Sequence, residues 1–216
     1  ALAHCDAVVR GEAEPSWPEV LQDIERHRLR RIYQSRQPVD LAALQPVPRH
    51  LLRKTGYITV NAVQVTRGCP NACQYCSVRQ FYGRRQRFRP LDRVVEELRS
   101  IPGLFVLFID DNITGDVEYA KGLFRAIAPL GKKWVSQASL TIAEDDELVR
   151  LAADSGCCGL FVGLESLNAR SLQEVGKGFN RAERYAQSIR KLHDAGIGIE
   201  AGLMFGFDHD DVAVFE

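Results

Sequence analysis

From Gly56 onward the apolar positions switch between two periods. Ile58–Val65 is a β-branched run and predicts a strand. Behind Pro90, Leu91, Val94, Val95 and Leu98 recur at i, i+3, i+4 and i+7, the stripe of an amphipathic helix opened by proline. Leu104–Ile109 is continuously apolar and predicts a buried strand, ended by Asp110, Asp111 and Asn112. Val117, Ala120, Phe124 and Ile127 mark a second helix, stopped by Pro129 and Gly131. Trp134–Leu140 predicts a third strand. Asp145–Ser155 predicts a third helix, with acids in its first turn and Gly156 just past its end. Leu160–Leu164 follows as a strand, Asn180–Ala195 as a helix closed by Gly196, and Ile197–Phe205 as a fifth strand.

Strands alternating with helices, the strands nearly all apolar, predict parallel βα units buried on both faces. Five strands with four crossovers fit an α/β fold, either part of a (βα) barrel or an open doubly wound sheet. In both, chemistry gathers at the carboxyl ends of the strands. The polar residues fall there: Cys69–Cys76 after the first strand, Asp110–Asn112 after the second, Gln137 and Ser139 in the third, Glu165 after the fourth. The first sixty residues are less regular. Ala7–Val9 ends a strand, Gly11–Glu14 turns, and a helix after Pro18 puts Val20, Leu21 and Ile24 on one face. Pro38, Pro46 and Pro48 make residues 37–53 an extended linker.

Composition narrows the class. Of 216 residues, 45% are hydrophobic, enough for a sizeable core. Lys+Arg and Asp+Glu both number 28, so net charge gives no argument for nucleic acid or membrane. No apolar run approaches the roughly 20 residues that span a bilayer, and residues 1–10 are no signal peptide, which predicts a soluble, cytoplasmic protein. The chain starts without Met and stops at Glu216, where a helix is expected to begin, so it reads as an excerpt of a longer protein.

Six cysteines are present. Cys157 and Cys158 are adjacent, a spacing poorly suited to cross-linking, and three others crowd into Cys69-Pro-Asn-Ala-Cys73-Gln-Tyr-Cys76. In a reducing compartment such a cluster reads as metal binding or redox chemistry. The spacing i, i+4, i+7 also fits a buried helix face. Against that, Gly68 and Pro70 favour a loop from which three thiolates converge on one metal centre. Soft thiolates select zinc or iron–sulfur. Structural zinc wants four ligands, and no fourth Cys or His lies nearby in sequence; a 4Fe–4S cluster held by three leaves one iron open.

Cys69-x-x-x-Cys73-x-Tyr75-Cys76 resembles the signature of the radical S-adenosylmethionine (SAM) superfamily, with the likeness running from about Tyr57 to the end. The resemblance implies a partial barrel, truncated at its C-terminal end, in which the open iron binds SAM. One-electron cleavage would then give a 5′-deoxyadenosyl radical. The chain resembles the cobalamin-binding class more closely. Asp6–Glu14 looks like the exit of an upstream cobalamin domain. Phe108–Asn112, Gly163–Ser166, Lys177–Asn180 and Gly206–Asp210 look like the subgroup of the hopanoid methylase. This implies residues 1–16 as the tail of a cobalamin-binding domain, 17–56 as linker and 57–216 as an incomplete core. It implies cobalamin in the full-length protein, a small or lipid-like substrate methylated at an unactivated carbon, and a reductant such as flavodoxin or ferredoxin. Radical cyclisation without methyl transfer is the alternative within the family, and a zinc-stabilised RNA-binding module the alternative outside it.

By the same resemblance Tyr75 lies near the adenine, Asp110, Asp111 and Asn112 near the methionyl ammonium, and Glu165 near the ribose, with Gln137 and Ser139 facing the same cavity. For Asp110–Asn112 a helix-capping role is an equal alternative. Arg79, Arg84, Arg85, Arg87 and Arg89 interleave with Phe81, Tyr82 and Phe88 like a nucleic-acid surface, but a solvated loop with one or two arginines steadying a carboxylate or the cluster is the simpler expectation. Gly196-x-Gly198-x-x-Ala201 matches a relaxed dinucleotide pattern yet begins a strand after a helix, the wrong context. The five histidines show no ligand spacing.

Overall fold

In a computed structural model of the chain, residues 3–35 and 37–215 are described. Ala1, Leu2 and Glu216, which fall in the expected tail and core, lie outside them, as does the helix expected to open at Glu216. The chain divides into two units, Ala1–Gln45 and Pro46–Glu216, so the division falls inside the stretch expected as linker.

In the first unit, β1 (Val8–Arg10) pairs in parallel with β2 (Ile32–Gln34) across α1 (Trp17–Glu25). The face expected of α1 is corrected. Val20 is buried, but Leu21 and Ile24 are about half exposed. Asp23 is buried instead, bonded to the Tyr33 hydroxyl at 2.9 Å and to Arg28 and Arg30.

The second unit is built on β3 (Ala62–Val63), β6 (Phe105–Phe108), β7 (Lys133–Ala138), β8 (Cys157–Glu165) and β9 (Gly198–Leu203). All neighbours are parallel and follow one another in chain order. A doubly wound sheet reverses its order partway; this one does not, an order consistent with the wall of a partial barrel. Helices α3 (Leu91–Ser100), α4 (Val117–Ile127), α5 (Asp146–Asp154) and α7 (Tyr185–Asp194) cover one face. Alternate strand residues meet them: Val106 and Phe108, Trp134 and Ala138, Leu160, Val162 and Leu164 are buried against Val94, Leu98, Phe124, Leu148 and Leu192. The opposite strand face, with Phe105, Ile109 and Phe161, remains open.

The alternation holds, with local differences. The first strand is far shorter than Ile58–Val65 suggests, and Ile58 is fully exposed. The chain breaks at Gln64 and Val65 and starts β4 (Thr66–Arg67), which pairs antiparallel with β5 (Arg87–Phe88). Between them lies α2 (Ser77–Tyr82), on which the arginine run begins. A further helix, α6 (Ala169–Glu174), precedes the Lys177–Asn180 segment. Among the described residues no helix is long and apolar enough to cross a membrane.

Buried charge fixes the entry to the cysteine loop. Glu97 on α3, 2% exposed, meets Arg49 and Arg89 at 2.7 Å each. Those guanidinium groups also donate to the carbonyls of Val60, Ala62 and Gln64, clamping β3 and the turn after it. Arg89 is thus an arginine steadying a carboxylate, while Arg84 and Arg85 are exposed.

Candidate active site

The segment from Cys69 to Cys76 is a loop with one turn at Gln74–Tyr75, so the helix-stripe alternative falls away. The loop is held from outside. Gln74 donates its backbone N–H to Val175 and its side chain to the Glu174 carbonyl, at 2.9 and 2.7 Å. Gly176, with φ +72°, approaches so closely that an added Cβ would sit 2.8 Å from the Ala72 carbonyl oxygen. Sequence-distant segments therefore meet under the loop.

All three thiols line one cavity of about 170 Å³ at the carboxyl end of the strands. Cys73 is buried, Cys69 and Cys76 half-buried. Burial pushes the Cys69 and Cys73 thiols up, while the Asn112 amide near Cys69 and the Lys177 charge near Cys73 pull the other way. Among the described residues no three His, Cys, Asp or Glu side chains stand close enough to hold a single metal ion. The three sulfurs share this cavity. That donor set fits a multi-iron cluster, in which each iron takes its own thiolate.

The structure brings Tyr75, Asp111, Asn112, Gln137, Ser139 and Glu165 to this cavity. Asn112 is buried; its amide donates to Ser139 Oγ at 3.0 Å and reaches Cys69 Sγ at 3.7 Å, and its Oδ1 accepts from the Ser139 N–H. Asp111 accepts from the Gly68 N–H at 3.1 Å, and burial raises its carboxyl. Helix α4 is capped by Asp116, which leaves Asp111 and Asn112 to the cavity.

Asp110 is the exception. It is fully buried away from the cavity, accepting from the Val65 and Thr66 backbone N–H groups and from the Thr66 hydroxyl. Burial pushes its carboxyl up to about 7. Its expected cofactor contact is corrected to a structural role: it ties the β3–β4 break to the end of β6. Period-two alternation carries the signal, since Val106, Phe108 and Asp110 share one face.

Sequence reasoning missed Lys177. Its Nζ lies 2.7 Å from Glu165 Oε1 and 3.5 Å from the Tyr75 hydroxyl, and it is 9% exposed. Glu165, the last residue of β8, has φ +67°, and the β8–β9 register shifts between Gly163 and Glu165. The freed carbonyls of Gly163 and Leu164 accept from Asn180, and Leu164 also from Tyr185. Burial, then the Glu165 carboxylate, raises the Tyr75 hydroxyl.

A second, larger cavity of about 620 Å³ opens on the bare strand face and shares Gln137 and Phe161 with the first. Leu107, Ile109 and Val135 make its wall apolar, Gly159 and Gly198 leave it bare, and Glu200 is its one charged residue.

Comparison with known proteins follows this geometry. The family model described as the radical SAM superfamily matches residues 63–215. A bacteriochlorophyllide d C-12(1)-methyltransferase of Chlorobaculum tepidum is 30% identical over the whole chain, which covers 50% of that protein. A hopanoid C-2 methylase of Rhodopseudomonas palustris is 25% identical over 89% of this chain and 38% of its own length. The chain thus spans half or less of these curated relatives. A solved structure of the cobalamin-dependent SAM radical enzyme OxsB superposes with a TM-score of 0.71 at 17% identity, covering 92% of this chain and 34% of that one. That likeness concerns the fold.

Proposed function

The chain belongs to the radical SAM superfamily, and from that premise we propose that Cys69, Cys73 and Cys76 hold a 4Fe–4S cluster that binds and reductively cleaves SAM, within a larger cobalamin-dependent methyltransferase. The observation that carries this is the meeting of three thiols from one loop in a single polar cavity at the strand ends. When bound, the cluster supplies one-electron cleavage of a sulfonium carbon–sulfur bond. The chain's own residues would position the cofactor. Asp111 suits the methionyl ammonium, and Asn112, Ser139 and Gln137 suit its polar edge. Glu165, beside them, suits a ribose diol. Phe161 and Phe179 give the cavity an apolar side.

The larger cavity suits a mostly apolar substrate, in line with relatives named for acting on a bacteriochlorophyllide and a hopanoid. The methyltransferase relatives support methyl transfer to carbon by the full-length protein, and the fold shared with a cobalamin-dependent enzyme is in line with cobalamin there. Family membership leaves no place for the zinc-stabilised RNA module, and the arginine run serves the fold: Arg89 is sequestered by Glu97, Arg87 lies over the Tyr82 ring, and Arg79 reaches the Ala72 carbonyl.

Anaerobic reconstitution with iron and sulfide tests the proposal. Wild type should take up about four irons per chain and Cys73→Ala should lose the cluster. A reductant plus SAM should release 5′-deoxyadenosine from the wild type alone. Label from the SAM methyl group recovered in a product of the full-length protein separates methyl transfer from cyclisation. A colourless wild-type protein that binds zinc and no iron would end the proposal.

A further inference from the structure

Resting on the cluster assignment above, we propose that Glu165, Lys177 and Tyr75 form a charge chain on the wall of the cysteine cavity that sets the reduction potential of the cluster. Among the described residues lining the cavity, Lys177 carries the only cationic side chain. Its ammonium is bound by Glu165 at 2.7 Å and approaches the Tyr75 hydroxyl at 3.5 Å. Lys177, Glu165 and Tyr75 line the same cavity as Cys69, Cys73 and Cys76.

The backbone around this chain is built for it. Taking an ammonium and a carboxylate to side-chain exposures of 11% and 12% is costly unless they are paired. To pair them, β8 shifts register at its end and Glu165 adopts a left-handed conformation that side-chain-bearing residues avoid. Gly163 must lack a side chain, since its Cβ would lie 2.1 Å from Glu165 Oε1 and 2.7 Å from Lys177 Nζ. Gly176, just before Lys177, brings the chain against the Ala72 carbonyl beneath the cysteine loop. These features together deliver one ammonium to the cavity that the three thiols line. A buried pair serving only stability would not need to face the cavity.

The sign of each contribution follows from electrostatics. Adding an electron to the cluster adds negative charge, which a nearby ammonium stabilises and a carboxylate opposes. The Tyr75 hydroxyl, which accepts from that ammonium, helps to hold it at the cavity. Lys177 and Tyr75 should therefore raise the potential, and Glu165 should temper the rise.

The test is a potentiometric titration of the full chain, reconstituted anaerobically and followed by electron paramagnetic resonance without SAM. Iron content and urea unfolding are measured on each variant. Lys177→Met should shift the midpoint to a more negative potential and Tyr75→Phe should do so by less, while Glu165→Gln should shift it to a more positive one. Lys177→Arg should restore most of the wild-type value. Opposite signs at 177 and 165 are the discriminating readout, because a merely structural pair would move neither, or both alike through partial cluster loss. Tyr75→Phe removes a single oxygen from a partly exposed side chain, and keeps the test decisive where the ion-pair variants do not fold. Unshifted midpoints at wild-type iron content, or shifts of one sign at both charged positions, would overturn the charge chain and leave the cluster assignment standing. A wild-type chain without iron would overturn both.

Discussion

Gly163 leaves empty the place that the Glu165 carboxylate fills: a Cβ there would lie 2.1 Å from Oε1. The atoms it would meet are the ends of the paired Glu165 and Lys177 side chains, so the contact is relieved by their moving away. Gly163→Ala is therefore expected to expel the Glu165 carboxylate from its pair and to cost about 1–3 kcal/mol of stability, the range for overpacking a well-filled site. Urea unfolding measures the cost. Gly178→Ala, whose Cβ would meet only ordinary contacts with Gln173 at 3.4 and 3.9 Å, is the control and should change the midpoint little.

Glu97 answers two guanidinium groups from a site that is 2% exposed. Glu97→Gln keeps the shape and removes the charge, leaving Arg49 and Arg89 without a counter-ion. Breaking a buried pair in this way costs about 3–5 kcal/mol. Because both arginines also hold the backbone from Val60 to Gln64, the loss should loosen the approach to the cysteine loop. Hydrogen exchange at residues 62–66 should rise together with the fall in the urea midpoint. An unchanged midpoint would show that the arginines hold β3 without the carboxylate.

The parallel βα frame was legible because burial on both strand faces and on one helix stripe writes itself as apolar periodicity. Strands β6 to β9 and helices α3, α4, α5 and α7 sit within a few residues of where that periodicity put them. What escaped depended on partners far along the chain. Ile58–Val65 has the composition of a strand, yet only Ala62 and Val63 pair, because Asp110 captures the N–H groups of Val65 and Thr66 just beyond them. Short α2 and α6 are held by contacts at their ends and carry too little apolar stripe to announce themselves. In the site, the cysteine loop was legible from composition and spacing. Lys177 was not, since nothing local says that a lysine in a Gly-rich turn will fold back onto Glu165.

Asp110 makes stability depend on pH. Its folded-state carboxyl is pushed up to about 7 from an ordinary value of 3.8, so the folded chain binds this proton more tightly than the unfolded one. The favourable contribution is complete below pH 3.8 and is lost as the pH climbs to about 7. Within that window the slope from one group is at most about 1.4 kcal/mol per pH unit. Asp110→Asn should flatten this part of the profile, at a lower starting stability because, with its oxygen in the Oδ1 place, its amide nitrogen would face the Val65 N–H donor. Urea midpoints at pH 4.5, 6 and 7.5 for both proteins decide it; parallel profiles would assign the pH dependence to other groups.

Asn112 separates holding the fold from holding the cluster. Its Oδ1 accepts from the Thr114 hydroxyl and the Ser139 N–H, while its amide nitrogen faces Cys69 Sγ and Ser139 Oγ. Asn112→Asp preserves the two accepted bonds and the side-chain shape. It removes the donors and sets a negative charge beside a thiolate, where like charges repel at short range. The urea midpoint of the iron-free chain should fall by only about 1 kcal/mol, the net worth of a hydrogen bond. Iron loss to an excess of chelator, followed by bleaching of the cluster's visible absorption, should be several-fold faster than in wild type. Asn112→Ser, which shortens the side chain without adding charge, should lose iron at an intermediate rate. Equal rates in Asn112→Asp and wild type would place Cys69 outside the influence of Asn112 once iron is bound.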